Sequence, residues 1–214
     1  MKEFFKKAFS KEGLKSFFKS FVWLMILVFI ADIVTKWVFA NHFGFVTPSD
    51  SEMIKIIPNF LYISLGFNTG MAWSLLAGTG GKIVLAVVSL VLGLALTYYY
   101  SKTFKTSSNL TRIALALMIT GAFGNFIDRA FYWKGLVGFT GVIDWIQVYF
   151  GNYAFPTFNI ADSALVIGVA LLVVQLIIDA IKESIEKGKA GEYKYSPEEL
   201  EKQKENKNEE DQSK

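Results

Sequence analysis

Acid–base chemistry in this chain has few side chains to draw on, because it contains no cysteine and only one histidine, His42. That removes disulfides, thiolate nucleophiles, cysteine metal sites and the paired-histidine zinc-protease arrangement. Carboxylates, lysines, tyrosines and hydroxyls remain. Several of them stand inside apolar runs or at their ends, where an ionised group costs about 2.5–3.5 kcal/mol near the centre of a membrane helix and therefore needs an explanation. Five clusters meet that description.

Asp32, Thr35 and Lys36 have spacings of three and four, which place them on one helical face. An internal ion pair there lets an apolar helix carry both charges, so the cluster reads as structural support. Asn68-Thr69-Gly70 follows a β-prone run over residues 60–67 and suits a turn that needs a positive φ. In Gly121-Ala122-Phe123-Gly124-Asn125-Phe126-Ile127-Asp128-Arg129, positions 121, 124, 125 and 128 share one stripe. The glycines permit close helix approach, Asn125 and Asp128 project from the same face, and Arg129 can neutralise Asp128 or another nearby carboxylate. A packing face that ends in an interfacial ion pair fits these residues as well as a site does.

The fourth cluster is one acid, Asp144, among bulky apolar neighbours in Gly141-Val142-Ile143-Asp144-Trp145-Ile146. It sits either on the wet face of an interfacial segment or in a desolvated site where its pKa rises. In the fifth, Asn159-Ile160-Ala161-Asp162-Ser163, Asn159 as N-cap with Asp162 three residues on is close to a capping box. Capping and catalysis are compatible roles for the same aspartate.

The elements that must position these residues are membrane helices. Apolar residues make up 52% of the 214 and charged ones only 19%, a balance soluble domains of this size rarely reach. Apolar runs predict spans over about residues 20–40, 82–100, 110–127 and 161–181, each long enough for the roughly 30 Å of hydrocarbon. No convincing cleavage site follows Ala40, so the first span is expected to stay attached as an anchor. Basic residues cluster before the first span (Lys2 to Lys19), around the loop between the second and third (Lys102, Lys105, Arg112), and after the fourth (Lys182, Lys187, Lys189). The positive-inside rule then puts both termini in the cytoplasm and residues 41–81 and 128–160 outside. These two segments, with Pro48, Pro58, Pro156 and many glycines, are expected to build a small extracytoplasmic platform. Residues 1–19 read as a basic amphipathic segment whose first ten residues suit the anionic inner leaflet, 20–182 as the membrane domain, and 183–214 as a charged, disordered cytoplasmic tail. The net charge of +3 is too small and too divided for a nucleic-acid partner.

Taken together and in this order, the five clusters resemble the lipoprotein signal peptidase family, also called signal peptidase II. The resemblance covers about residues 28–172. It rests on Asp32 with Lys36, Asn68-Thr69-Gly70, Gly121-Ala122-x-Gly124-Asn125-x-x-Asp128-Arg129, Val142-Ile143-Asp144 and Phe158-Asn159-x-Ala161-Asp162-Ser163. It implies a multi-pass aspartic endopeptidase of the bacterial inner membrane that cuts diacylglyceryl-modified prolipoproteins before the lipidated cysteine, on the extracytoplasmic side. It also implies a mainly α fold of four transmembrane helices with a small extracytoplasmic β-structure and an amphipathic segment. Asp144 and Asp162 would be the catalytic pair. Asn68, Gly70, Gly121, Asn125, Asp128, Arg129, Asn159 and Ala161 would surround it, with Asp32 and Lys36 in support. The implied protein is a monomer that needs no metal or cofactor and has prolipoprotein signal peptides and membrane lipids as partners. The chain departs from the family pattern in a longer stretch between Asp128-Arg129 and Asp144, in Trp145 where Phe is usual, in Met71-Ala72-Trp73 where smaller or Phe-bearing forms follow Asn-Thr-Gly, and in a basic N-terminal segment and a C-terminal tail that extend beyond the typical family core.

Two other classes compete. A Ser/Lys hydrolase would use Ser64, Ser74 or Ser163 activated by Lys36, which must then lie desolvated beside the serine. A small transporter or scaffold would use the intramembrane charges to line a path or fix helix packing, without proteolysis.

Overall fold

The structure is a computed structural model and describes residues 10–68, 79–131, 141–190 and 201–202. Its helices are α1 (Lys11–Lys19), α2 (Val22–His42), α3 (Thr79–Thr103), α4 (Asn109–Phe131) and α5 (Ile160–Ala190). Its strands are β1 (Ile54–Ile57), β2 (Leu61–Asn68), β3 (Val142–Phe150) and β4 (Tyr153–Ala154). Four segments are long and apolar enough to cross a membrane: Val22–His42, Ile83–Thr103, Asn109–Phe131 and Ile160–Gly188. At about 1.5 Å per residue, the 21 residues of α2 reach roughly the thickness of the hydrocarbon layer.

The protein divides into two compact units, Met1–Leu172 and Val173–Lys214. In the second, α5 continues to Ala190, past the boundary expected at residue 182, so the tail does not begin at 183. The residues there favour helix, and Lys187 pairs with Glu183 one turn earlier at 2.7 Å. Residues 1–9, 69–78, 132–140, 191–200 and 203–214 lie outside the described part; they include the first half of the basic N-terminal segment, Gly70 and most of the long stretch before Asp144.

The first unit is built with its polar residues inside. On α2, Ile26, Leu27, Ile30, Val34 and Val38 point outward, as do Ile83, Val84, Val87, Val88 and Val91 on α3, while Asp32 and Lys36 are fully buried. That distribution suits a lipid surround. α4 carries the longest buried stripe, including Ala114, Leu115, Thr120, Gly121, Gly124, Asn125 and Asp128. Small residues make its close contacts: a Cβ on Gly121 would collide with the Ala161 carbonyl, and one on Gly124 would lie 2.9 Å from both Ala161 Cβ and Asp32 Oδ2. Close approach without side chains therefore brings α2, α4 and the start of α5 together.

The strands form one antiparallel sheet in the order β1-β2-β3-β4. Alternation along β3 decides which residues face α2. Ile143 packs with Leu65 of β2 and Ala40 of α2, and the Trp145 ring lies 4.5 Å from that of Phe39. Asp144, between them, must project from the opposite face. The β2–β3 register shifts between the Ile63–Ile146 and Gly66–Asp144 pairs, which accommodates one extra residue in β2 and sets Gly66 across from Asp144. Gly66 leaves space for Thr157, whose Oγ1 would stand 2.6 Å from a Cβ there.

Candidate active site

The site begins where α5 starts. Asn159 Oδ1 accepts the Asp162 N–H at 2.9 Å, and the Asn159 N–H donates back to Asp162 Oδ2 at 3.2 Å. This reciprocal cap is the one the sequence predicts, and it fixes the Asp162 carboxylate against the helix N-terminus. The other Asp162 oxygen, Oδ1, accepts from Asn125 Nδ2 at 2.7 Å, so α4 holds the acid from its second side.

Asp144 reaches the same place through the sheet. After the β3–β4 hairpin the chain runs back beside β3: Trp145 and Ile146 donate to the Phe158 carbonyl, and Phe158 donates to Ile146. The next residue is Asn159. Its Nδ2 donates to Asp144 Oδ1 at 2.6 Å and lies 3.3 Å from the Ile143 carbonyl and 3.4 Å from Asn125 Oδ1. A single asparagine thus bonds both aspartates: its side-chain amide N–H donates to the Asp144 carboxylate, its backbone N–H donates to the Asp162 carboxylate, and its side-chain oxygen accepts the Asp162 backbone N–H. Asn68, at the end of β2, adds a side-chain hydrogen bond to Asp144. Asp144 is 1% exposed. Burial pushes its carboxyl well above the usual carboxylate range, and the charge of Asp162 pushes the same way. The charge of Lys36 and the Asn159 and Asn68 hydrogen bonds oppose the rise without cancelling it.

Beneath the two acids lies a fully buried ionic bridge. Lys36 Nζ contacts Asp32 Oδ2 at 2.6 Å and Asp128 Oδ2 at 2.8 Å, with all three side chains at or below 1% exposure. Asp32 Oδ1 accepts the Ala161 N–H at 2.8 Å, and Asp128 Oδ2 accepts the Ile143 N–H at 3.3 Å. Each carboxylate of the bridge therefore holds the backbone immediately before one of the two site aspartates. The i,i+4 pair of Asp32 and Lys36 was legible from spacing. Thr35 takes no part in it, because its hydroxyl turns back to the Ala31 and Asp32 carbonyls.

Of the two alternatives for Arg129, Asp128 or another nearby carboxylate, the second comes first: the bonded countercharge of Asp128 is Lys36. Arg129 Nη1 donates to Ser89 of α3 at 3.1 Å, and its charge acts on Asp162, Asp144 and Asp128 in that order. Gly121 supplies the close approach to Ala161 described above. The site residues Asp32, Lys36, Asn68, Gly121, Asn125, Asp128, Arg129, Asp144, Asn159, Ala161 and Asp162 thus belong to one connected region, and Gly70 lies outside the described residues. Sequence reasoning missed Ser89 and Thr157, a hydroxyl in an apolar helix and one in a short return segment, neither marked by periodicity.

The geometry bears on the competing chemistry. Lys36 is held between two carboxylates, and Ser163 Oγ donates to the Asn159 carbonyl at 2.9 Å. Ser74 lies outside the described residues. Among the described residues, no group of three or more His, Cys, Asp or Glu is placed to hold a metal ion.

A family model described as signal peptidase (SPase) II matches residues 24–178. The chain is 36% identical over 163 residues to the lipoprotein signal peptidase of Bacillus subtilis (strain 168), covering 76% of this chain and 96% of that one. It is 37% identical over 164 residues to the lipoprotein signal peptidase of Geobacillus kaustophilus (strain HTA426), covering 77% and 97%. Among solved structures it is similar to a bacterial membrane enzyme determined by the in meso method, with a TM-score of 0.60, 32% identity, and 74% of this chain and 88% of that one covered.

Proposed function

Since the chain belongs to the signal peptidase II family, we propose that it is an aspartic endopeptidase of the bacterial inner membrane with Asp144 and Asp162 as its catalytic pair. It removes the signal peptide from diacylglyceryl-modified prolipoproteins, cutting before the lipidated cysteine. The observation that carries this reading is Asn159, which hydrogen-bonds both carboxylates at once.

Asp144 is buried and Asp162 half-buried, and two carboxylates held by one asparagine share a proton more readily than they carry two charges. Asp144, pushed up by burial and by its neighbour, is the acid that holds it. Asp162 accepts hydrogen bonds on both oxygens, from Asn125 and from the Asn159 N–H, and serves as the base. Water attacks the scissile carbonyl carbon and gives its proton to Asp162 while Asp144 donates to the carbonyl oxygen. The tetrahedral intermediate then collapses: its hydroxyl proton returns to Asp144, the proton on Asp162 passes to the leaving nitrogen, and the C–N bond breaks. Atoms and charge balance without a further reactant.

Both termini lie in the cytoplasm and the sheet lies outside, following the basic residues that flank the spans. A signal-peptide helix lying in the bilayer then presents its outer end at the level of Asp144 and Asp162. The test is a gel-shift cleavage assay of a purified diacylglyceryl-modified prolipoprotein with the wild type, Asp144→Asn and Asp162→Asn, each checked for membrane insertion. Cleavage by the wild type alone supports the pair. Normal cleavage by either inserted variant removes that residue from the mechanism, and a wild type that never cuts returns the transporter or scaffold reading.

A further inference from the structure

Residues 10–21 precede the segment matched by the family, yet they have a defined form. The Ser10 hydroxyl caps α1 by accepting the Gly13 N–H at 3.1 Å, and Glu12 occupies the first turn where the helix dipole favours an acid. Phe21, in the left-handed region at φ 55°, then breaks the chain between α1 and α2. A β-carbon-bearing residue adopts that conformation only against a steric cost, so α1 is a separate helix and not an extension of the first span.

At about 100° per residue, Lys11, Glu12, Lys15, Ser16 and Lys19 fall on one arc of α1 and Phe17 and Phe18 on the opposite one. All three lysines are exposed, and Phe18 is 59% exposed. More positive charge gathers at this end of the bundle. The Tyr100 hydroxyl near the end of α3 donates to the Ser20 carbonyl, which brings the stretch carrying Lys102, Lys105 and Arg112 next to the α1–α2 junction. An apolar arc left open to solvent, backed by a row of lysines and joined directly to a membrane span, has one surface within reach that matches both halves: the headgroup and upper acyl region of the bilayer.

We propose that α1 is an interfacial helix that binds anionic phospholipid, with Phe17 and Phe18 in the acyl boundary and Lys11, Lys15 and Lys19, joined by Lys102 and Lys105, on the headgroups. It ties one end of the bundle to lipid of defined charge, and it stands or falls independently of the catalytic assignment.

Because the chain has no cysteine, Phe17→Cys carries a unique nitrobenzoxadiazole label in the full-length protein. Reconstituted in phosphatidylcholine nanodiscs with increasing phosphatidylglycerol, the label moves to blue-shifted emission and becomes shielded from an aqueous quencher. Added salt reverses the change. The same label at Ser16→Cys, on the lysine arc, stays accessible. Lys11→Gln, Lys15→Gln and Lys19→Gln together lower the ratio of docked to undocked helix on the order of 100-fold. A Phe17 label indifferent to phosphatidylglycerol in the chain with its lysines intact overturns the proposal without recourse to any lysine variant. So does a response that follows the protein-to-lipid ratio and not lipid charge, which would make a second copy the partner.

Discussion

Replacing Lys36 by methionine keeps most of the side-chain volume and removes the charge that Asp32 and Asp128 share. Both carboxylates would remain at or below 1% exposure with no countercharge at bonding distance. Breaking a buried ion pair by deleting one partner costs about 3–5 kcal/mol, since the orphaned charge has lost its water without compensation. That lowers the ratio of folded to unfolded protein by roughly a hundredfold to several thousandfold. The triple variant Asp32→Asn, Lys36→Met, Asp128→Asn leaves no charge stranded, and each asparagine keeps a carbonyl oxygen for the Ala161 or Ile143 N–H. Its stability is expected to return to within about 2 kcal/mol of the wild type. Denaturant titration of the purified protein in detergent measures all three. The triple variant should still cleave slowly: Ala161 and Ile143 are held less firmly, and a misplacement on the order of 1 Å costs about 10²-fold in rate. A Lys36→Met protein with the wild-type midpoint, or a triple variant no more stable than the single one, would refute the assignment of these energies to the bridge.

Asn159 separates capping from catalysis: Asn159→Ala should lose about 0.5–2 kcal/mol of stability together with cleavage, whereas Asn159→Ser supplies an uncharged capping oxygen but not the amide that donates to Asp144, so unfolding recovers in part and turnover does not. The raised Asp144 pKa sets a sign for pH dependence. An acid whose folded value lies above its ordinary 3.8 weakens the fold as pH rises from that value through the raised one, so wild-type stability should fall over that window. Asp144→Asn should flatten the profile when unfolding is followed against pH. On the proposed mechanism, turnover should fall on the alkaline side as Asp144 loses its proton. Gly121→Ala places a methyl against the Ala161 carbonyl and Leu165, so thermal unfolding should report a loss of about 1–3 kcal/mol, with a fall in cleavage as the start of α5 moves.

Features set by neighbours along the chain are legible in the amino-acid order. The apolar runs specify the spans to within a few residues at most ends, because the hydrocarbon fixes their length. The i,i+4 spacing places Lys36 on Asp32, and the i,i+3 spacing places Asp162 in the cap of Asn159. The β-prone run before Asn68 is β2. The α4 stripe of Gly121, Gly124, Asn125 and Asp128 is buried as its periodicity requires. The end of α5 is the exception: charge makes the residues after 182 read as a tail, although the same residues favour helix and continue it.

Tertiary structure decided the rest. Spacing could pair Asp32 with Lys36, but only the close packing of α2 on α4 made Asp128 the second partner and left Arg129 to Ser89. Sequence left Asp144 equally compatible with a wet surface and a dry site; the shifted β2–β3 register and the return of residues 155–158 beside β3 buried it against Asn159. The sequence by itself thus determined the helices, their faces and the cap, since each depends on residues within a turn or two. Which charges meet, and which carboxylate loses its water, depended on contacts between Asp32, Asn125, Asp144 and Asn159, whose separation along the chain gives no local periodicity from which to read them.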